Sequence, residues 1–259
     1  MNKPLQSDGT VGKALEILDA VAEFGRPVRF TELLESSPYP KATLYRFLQT
    51  LTNQKMLEHD EVTGSYSLGI RLMRLAHAAW QNASLAPIAR PFIEELATRV
   101  GETVHLAQLD HGQVLFVDKL RATDRFQTLA QVGQVAPAYC TGVGKAMLAF
   151  IAPKRLQIAL QQQSYFKYTP ATHSSAASLT LELEVIRNEG IAFDREEHEQ
   201  GINSIAAPIL SSNGRIIGAI SIATATNRYD TEALIQFRDP LVETAKKIGE
   251  EATSWQFPS

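Results

Sequence analysis

Residues 40–69, PKATLYRFLQTLTNQKMLEHDEVTGSYSLG, constrain the fold more than any other stretch of the chain. Leu44, Phe47, Leu48 and Leu51 recur at the i, i+3/i+4, i+7 spacing of a buried helical stripe. At ~100° per residue the opposite face carries Ala42, Arg46, Gln49 and Asn53, flanked by Tyr45 and Thr50. These side chains can reach base edges and phosphates in a DNA groove. An ordinary surface helix is also polar outside, so the stretch alone leaves both readings open. Immediately after the helix, Leu57 and His59 alternate into a hairpin tip at 60–64, and Ser65–Leu68 returns as the second strand of a wing.

The upstream sequence completes a module. Val11 to Phe24 places Val11, Leu15, Leu18, Val21 and Ala22 on one face and ends at Gly25-Arg26-Pro27. Thr31 is expected to cap a short helix, Glu32 to Ser36, and Ser37-Pro38-Tyr39 makes the turn. Pro40 fits the first position of the reader helix, where its missing N–H costs nothing. Three helices and a wing form a winged helix-turn-helix. The expected DNA contacts are Lys41, Ala42, Thr43, Tyr45, Arg46 and Gln49, with Arg29 ahead of them.

The chain of 259 residues is long enough for two cores. Its formal net charge of −3 does not by itself advertise nucleic acid. DNA affinity therefore depends on where Arg26, Arg29, Lys41, Arg46 and Lys55 point, and the acidic wing (Glu58, Asp60, Glu61) argues against deep wing insertion. The single cysteine, Cys140, excludes an internal disulfide and suits a reducing cytoplasm. No signal peptide and no run of ~18 apolar residues indicates export or membrane spanning.

Leu68 to Asn82 reads as a helix apolar on more than one face, suited to linking and dimerisation. Two reader helices one turn apart would then read an inverted repeat. The domains expected are 1–67, a linker helix at 68–83, and 84–259. Ser84 can cap the next helix, to about Val100, with a kink at Pro91. Hairpins follow at 103–109 with 114–117 and at 202–210 with 215–223, and another strand is expected at 126–130. Helices are expected at 142–150, 153–163, 179–190 (ending on Gly190) and 231–252. The fold class is α+β: a winged helix-turn-helix, a linker helix, and a second domain with an antiparallel sheet.

Several blocks in order carry a family resemblance from Val11 to Glu250. They are KALEIL (13–18), KATLYRFLQTL (41–51), YSLGIRLMRL (66–75), GETVHL (101–106), VDK (117–119), GKAMLAF (144–150), FDREEHEQGINSIAAPIL (193–210) and GAISIATATNR (218–228). The chain resembles an IclR-type transcriptional regulator. The resemblance implies a GAF-like effector-binding domain, homodimers that often pair into tetramers, and control of a catabolic operon by a small organic acid. Repression is the expected sign. Carried over by motif, the implied effector contacts are Thr141, Gly142, Val143, Asp194, Ile202, Ser204 and Ser221, with Thr128 lining the pocket. The chain departs from the pattern at Asn203-Ser204, where the family has Arg-Cys, and at Ala223, which replaces a second serine. Smaller residues at Thr128 and Ala136 are expected to enlarge the pocket. A carboxylate would be received by helix N-terminal N–H groups and the hydroxyls of Ser204 and Ser221.

Competing constellations are weaker. Cys140, His105 and Asp110 could be drawn as a nucleophile triad, but a lone cysteine before a packed helix is ordinarily a core residue. Glu196-Glu197-His198-Glu199 suggests a metal or acid–base cluster, yet adjacent residues rarely converge on one ion. A solvated loop or helix turn, with one carboxylate bracing the effector loop, is expected there. Ser221 lacks the strained elbow of a serine nucleophile. No cofactor, metal or catalytic residue is expected. The alternatives are a small-molecule hydrolase or a ligand-free interaction module joined to a DNA-binding domain.

Overall fold

The computed structural model describes residues 9–121 and 128–252. The chain forms two compact units, Met1–Asn82 and Ala83–Ser259.

In the first unit α1 (Gly9–Glu23), β1 (Val28–Arg29), α2 (Phe30–Ser36) and α3 (Lys41–Asn53) precede the wing strands β2 (Leu57–Asp60) and β3 (Ser65–Leu68). Leu44, Leu48 and Leu51 of α3 pack with Ile17, Val21, Leu33, Leu57 and Tyr66 in one core. The short strand β1 was not expected. It pairs antiparallel with β3, giving the order β1-β3-β2. Thr31 does not cap α2. The helix starts two residues earlier, and the Glu32 carboxylate accepts the Arg29 backbone N–H at 3.0 Å. Pro40 sits at the cap rather than inside α3, where its carbonyl accepts the N–H groups of Thr43 and Leu44. The linker helix α4 (Ile70–Ala83) starts two residues late because Leu68 is held in β3 against Leu57.

The second unit contains α5 (Ala86–Val100), β4 (Thr103–Asp110), β5 (Gln113–Leu120), β6 (Val135–Pro137) and α6 (Gly142–Leu148). It continues through α7 (Pro153–Gln162), α8 (Ala176–Glu189), β7 (Ala192–Arg195), β8 (Ile202–Leu210), β9 (Ile216–Ala225) and α9 (Arg238–Glu251). The six strands form one antiparallel sheet in the order β6-β5-β4-β9-β8-β7.

Residue alternation in the sheet builds two different faces. Val104, Leu106, Ile205, Ile209, Ile220 and Ile222 share a core with α5 and α9. On the other side Ala107, Ala192, Ala206 and Ala219 pack with α6 and α8. Small side chains there let α6 come close. A Cβ on Gly142 would lie 2.8 Å from Ser204 Oγ and 3.3 Å from Ala206 Cβ.

Several expected boundaries are corrected. Part of the strand expected at 126–130 lies outside the described residues, and 128–130 are irregular. Val135–Pro137 takes the place beside β5 instead. Helix α5 begins at Ala86 and continues through Pro91, while Ser84 Oγ accepts the Ala86 N–H. Helix α8 starts three residues early because Ser175 caps it. The last helix is divided: a 3-10 turn covers Ala233–Phe237, and the α-helix starts at Arg238. Pro240 explains the break, since a residue without an N–H fits the first turn of a helix and not its interior. Short β7 also escaped the sequence reading.

Close packing of α9 on β8 requires Gly249, where a Cβ would stand 2.1 Å from the Leu210 carbonyl oxygen. Gly249→Ala is expected to destabilise the second unit by about 1–3 kcal/mol. A urea midpoint unchanged from wild type would contradict that approach.

Candidate functional site

Two surfaces gather the residues singled out by sequence, one in each unit. On α3, Leu44, Phe47, Leu48 and Leu51 are buried, and Lys41, Ala42, Tyr45, Arg46 and Gln49 are exposed. Thr43 is half-buried at the margin. Gln49 donates from Nε2 to the Tyr45 hydroxyl at 2.9 Å, and Tyr45 stands edge-on to Phe30 with centroids 6.1 Å apart. These contacts hold two reader side chains in place one turn apart. Among the described residues, no ion pair holds the exposed side chains of Lys41, Arg46 or Arg29, although the Arg46 guanidinium lies over the Phe47 ring at 5.7 Å. Arg26 differs, because its guanidinium is spent on Glu32 at 2.6 Å.

Between α3 and the wing lies an open cleft of about 510 Å³, floored by Phe30, Tyr45, His59 and Tyr66. The acidic wing tip is internally satisfied. Asp60 accepts from the Thr63 hydroxyl and the Val62 N–H, which hold its carboxyl below the usual range. On α4, Ile70, Met73, Leu75 and Trp80 are exposed, a large apolar surface for a helix in water.

In the second unit, one cavity of about 40 Å³ is lined by Thr128, Thr141, Gly142, Val143, Asp194, Ile202, Ser204 and Ser221. All eight positions carried over by motif therefore meet around one space. Strand register accounts for part of this: Asp194 lies opposite Ser204 across β7–β8, and Ser204 opposite Ala223 across β8–β9. Ala136 is not in the lining. The cavity has room for about one or two waters. A larger depression of about 570 Å³ between α7 and the tip of the β4–β5 hairpin contains none of these positions.

Sequence reasoning missed His105, Phe116, Ala130, His198 and Glu199, which complete the wall together with Ala223, the position that replaces the family's second serine. His105 lies directly opposite Ser221 across β4–β9, a signal available only once those strands are paired. Its Nε2 is 3.0 Å from Thr128 Oγ1. Lys119 Nζ also donates to Thr128 Oγ1 at 2.9 Å and to the Ala130 carbonyl at 2.6 Å. Burial, helped by the Lys119 charge, holds His105 down at about 3, so its imidazole is neutral. Burial and the neighbouring Glu197 charge push Asp194 up to about 7. Asp194 Oδ1 accepts the Glu197 N–H at 2.8 Å. Glu199 accepts the Leu129 N–H at 2.9 Å, fastening the 196–201 loop to the segment that starts at Thr128. Among the described residues, Asp194 and Glu199 bring two carboxyl groups to the wall and no lysine or arginine lines it, while Lys119 stands behind it on Thr128 Oγ1.

The 196–199 run is not a solvated loop throughout. Glu197 is 3% exposed and accepts from fully buried Lys145 at 2.5 Å. Lys145 also donates to Glu182 at 2.9 Å, and Arg195 reaches the same Glu182 oxygen at 3.2 Å. Burial pushes Glu182 up, but the hydrogen bond from His173 and the Lys145 charge outweigh it and hold the carboxyl at about 2. The imagined triad does not assemble. His105 pairs with Thr128, Asp110 pairs with His111, and burial pushes the Cys140 thiol up, the reverse of an activated nucleophile.

Comparison with known proteins bears on both units. Residues 10–61 match the family description "IclR helix-turn-helix domain", and residues 77–250 match "Bacterial transcriptional regulator IclR C-terminal". The chain is similar to the HTH-type transcriptional regulator XynR of Escherichia coli K12, 30% identical over 90% of this chain and 92% of that protein. It is equally similar to the regulator KdgR of the same organism, 30% identical over 100% of this chain and 98% of that protein. The crystal structure of Thermotoga maritima IclR superposes with a TM-score of 0.77, at 27% identity, covering 94% of this chain and 98% of that one.

Asp194 supplies a test of the cavity's electrostatics. Its folded value, about 7, lies above that of an unfolded aspartate, so the folded state prefers the protonated form. That preference is fully present below the unfolded value and is lost as pH rises through 7. Asp194→Asn, which keeps the acceptor for Glu197, is expected to gain stability relative to wild type between pH 5 and 7. The gain should be on the order of 1 kcal/mol per pH unit. A stability difference that stays flat with pH would contradict the burial of an ionisable Asp194.

Proposed function

Because the chain belongs to the IclR family and is a DNA-binding transcriptional regulator, we propose that it represses a catabolic operon under the control of a small metabolite. The observation that supports the ligand-binding half is the convergence of eight motif positions on one buried, polar cavity. Their hydroxyls and amides come from separate segments, an arrangement suited to recognising a small polar molecule from several sides.

In this reading Arg46, Gln49 and Tyr45 read base edges, and Ala42 meets a thymine methyl. Lys41, Thr43 and Arg29 position the backbone. The operator is an inverted repeat, read by a homodimer formed through the apolar face of α4, with pairing of dimers into tetramers. Exposed Ile70, Met73, Leu75 and Trp80 support that role for α4.

A carboxylate-bearing ligand would meet backbone N–H groups at Gly142 and Val143 and the hydroxyls of Thr141, Ser204 and Ser221. Thr128 and Ile202 close the wall around it. Two carboxyl groups stand in the described part of that wall, so the ligand's negative charge is accommodated when Asp194 holds its proton and donates it. Binding would enlarge the small cavity by parting the Glu199–Leu129 fastening. The arrangement of effector domains that ligand prefers would then reset the spacing of the two reader helices, a population shift of about 1–3 kcal/mol. The protein would act in the cytoplasm; no helix among the described residues is long and apolar enough to cross a membrane.

Arg46→Ala is expected to weaken binding to an operator from beside its own gene by about 1–3 kcal/mol at fixed salt. Gel-shift titration measures this, and affinity equal to wild type would remove Arg46 from the reader face. Ser221→Ala is expected to weaken ligand-induced release from that operator while leaving ligand-free DNA binding intact. Superimposable ligand titrations for the two proteins would exclude Ser221 from the pocket.

A further inference from the structure

We propose that His173, Glu182 and Glu197 form a binding site for a divalent transition-metal ion, with zinc as the best match to the ligand set. His173 Nε2 and one carboxylate oxygen from each glutamate lie within 4.8 Å of one another. Nε2 is 2.5 Å from Glu182 Oε2 and 3.9 Å from Glu197 Oε2. Glu197 Oε2 is the telling atom. It is buried and has no hydrogen-bond partner, although its sister oxygen Oε1 is well satisfied. A buried carboxylate oxygen left bare, aimed at an imidazole nitrogen and a second carboxylate, is what an absent cation would leave behind.

The surroundings hold each ligand in a fixed orientation. Lys145 donates to Oε1 of both glutamates, at 2.9 Å on Glu182 and 2.5 Å on Glu197, which turns both Oε2 atoms to the same side. His173 Nδ1 lies 3.1 Å from Ser178 Oγ. That hydroxyl donates to the Ser175 carbonyl at 3.0 Å, so it is placed to accept from Nδ1–H, and the Nε2 proton that bonds Glu182 in the metal-free protein would be released as the ion binds. The backbone carbonyl of Glu197 accepts from the Thr172 hydroxyl at 2.6 Å. Such supporting contacts are typical of metal ligands.

A tetrahedral site with bonds of ~2.0–2.1 Å places its ligands ~3.4 Å apart. The gaps observed bracket that value, and side-chain rotations under about an ångström reach it. One imidazole and two carboxylates suit zinc and its first-row neighbours better than magnesium or calcium. His173 and Glu182 are only partly buried, which leaves an entry path and an exchangeable fourth position. The positive charge of Lys145 and Arg195 on the same glutamates weakens the site, so affinity on the order of micromolar is expected rather than that of a closed structural site. Occupation would tie α8 to the loop carrying His198 and Glu199, two residues of the cavity wall. The proposal itself does not depend on what that cavity binds.

The test uses the full chain, freed of metal with a chelator and exchanged into chelator-free buffer. Calorimetric titration with zinc chloride is expected to show one equivalent per chain, and cobalt(II) should develop the visible absorption of a low-coordinate site. His173→Gln and Glu182→Gln should each weaken that equivalent at least tenfold, while His111→Ala, at an exposed hairpin tip, should leave it unchanged. Wild-type crystals soaked in zinc should give an anomalous peak among His173, Glu182 and Glu197, a readout that requires no variant to fold. Absence of a stoichiometric equivalent, unchanged affinity in folded His173→Gln, or an anomalous peak only at other residues would overturn the assignment.

Discussion

A lysine ammonium with no access to water must find compensating charge, and Lys145 is such a group. It is fully buried, and it finds Glu182 on α8 and Glu197 in the loop after β7. Removing one partner from a buried pair typically costs about 3–5 kcal/mol, because the remaining charge is left uncompensated. The start of α6, the middle of α8 and the loop after β7 are therefore fixed relative to one another. The same fixing brings Gly142, Asp194 and Ser204 around one cavity and leaves Asp194 buried beside a second carboxylate. The small-residue face of the sheet is the complementary condition. Alanines at 107, 192, 206 and 219 let α6 settle close enough for Lys145 to reach both glutamates.

The two units differ in how far sequence discloses them. The reader helix follows from local rules, because the spacing of Leu44, Phe47, Leu48 and Leu51 decides which side is buried whatever the rest of the chain does. The alternating Ile and Ser/Ala of β8 and β9 likewise announce one large-residue and one small-residue face. Local rules failed where tertiary contact decides. Thr31 has a good capping side chain, but the Glu32 carboxylate reaching back to Arg29 moved the helix start. A helix expected over 231–252 is divided ahead of Pro240, where the turn at Ala233–Phe237 is 3-10.

The cavity was legible only through family motifs. Those motifs name positions on the strands and on α6, and they are silent on neighbours contributed across the sheet. His105 joins Ser221 through a pairing between residues more than a hundred apart, which no periodicity reveals. Lys145 stands in a quoted motif, yet nothing in its neighbourhood predicts a buried ammonium. The Glu196–Glu199 run reads as a solvated loop or helix turn with one carboxylate bracing the effector loop, whereas Glu197 is buried. In a tight loop adjacent side chains diverge: Glu197 is buried against Lys145, while His198 and Glu199 face the cavity.

The DNA-binding unit has no global positive field, so its grip depends on placement. Arg26 and Asp60 are consumed internally, while Lys41, Arg46 and Arg29 are exposed. Such a module binds with modest strength, which suits an affinity adjusted elsewhere in the chain. The most direct measurement of that adjustment is operator affinity by fluorescence anisotropy at fixed salt, without ligand and at saturation with a compound that raises the melting temperature of the full chain. The account predicts a change of about 5- to 150-fold, carried by occupation of the cavity at Asp194 and Ser221. Identical affinities with and without that compound would contradict it.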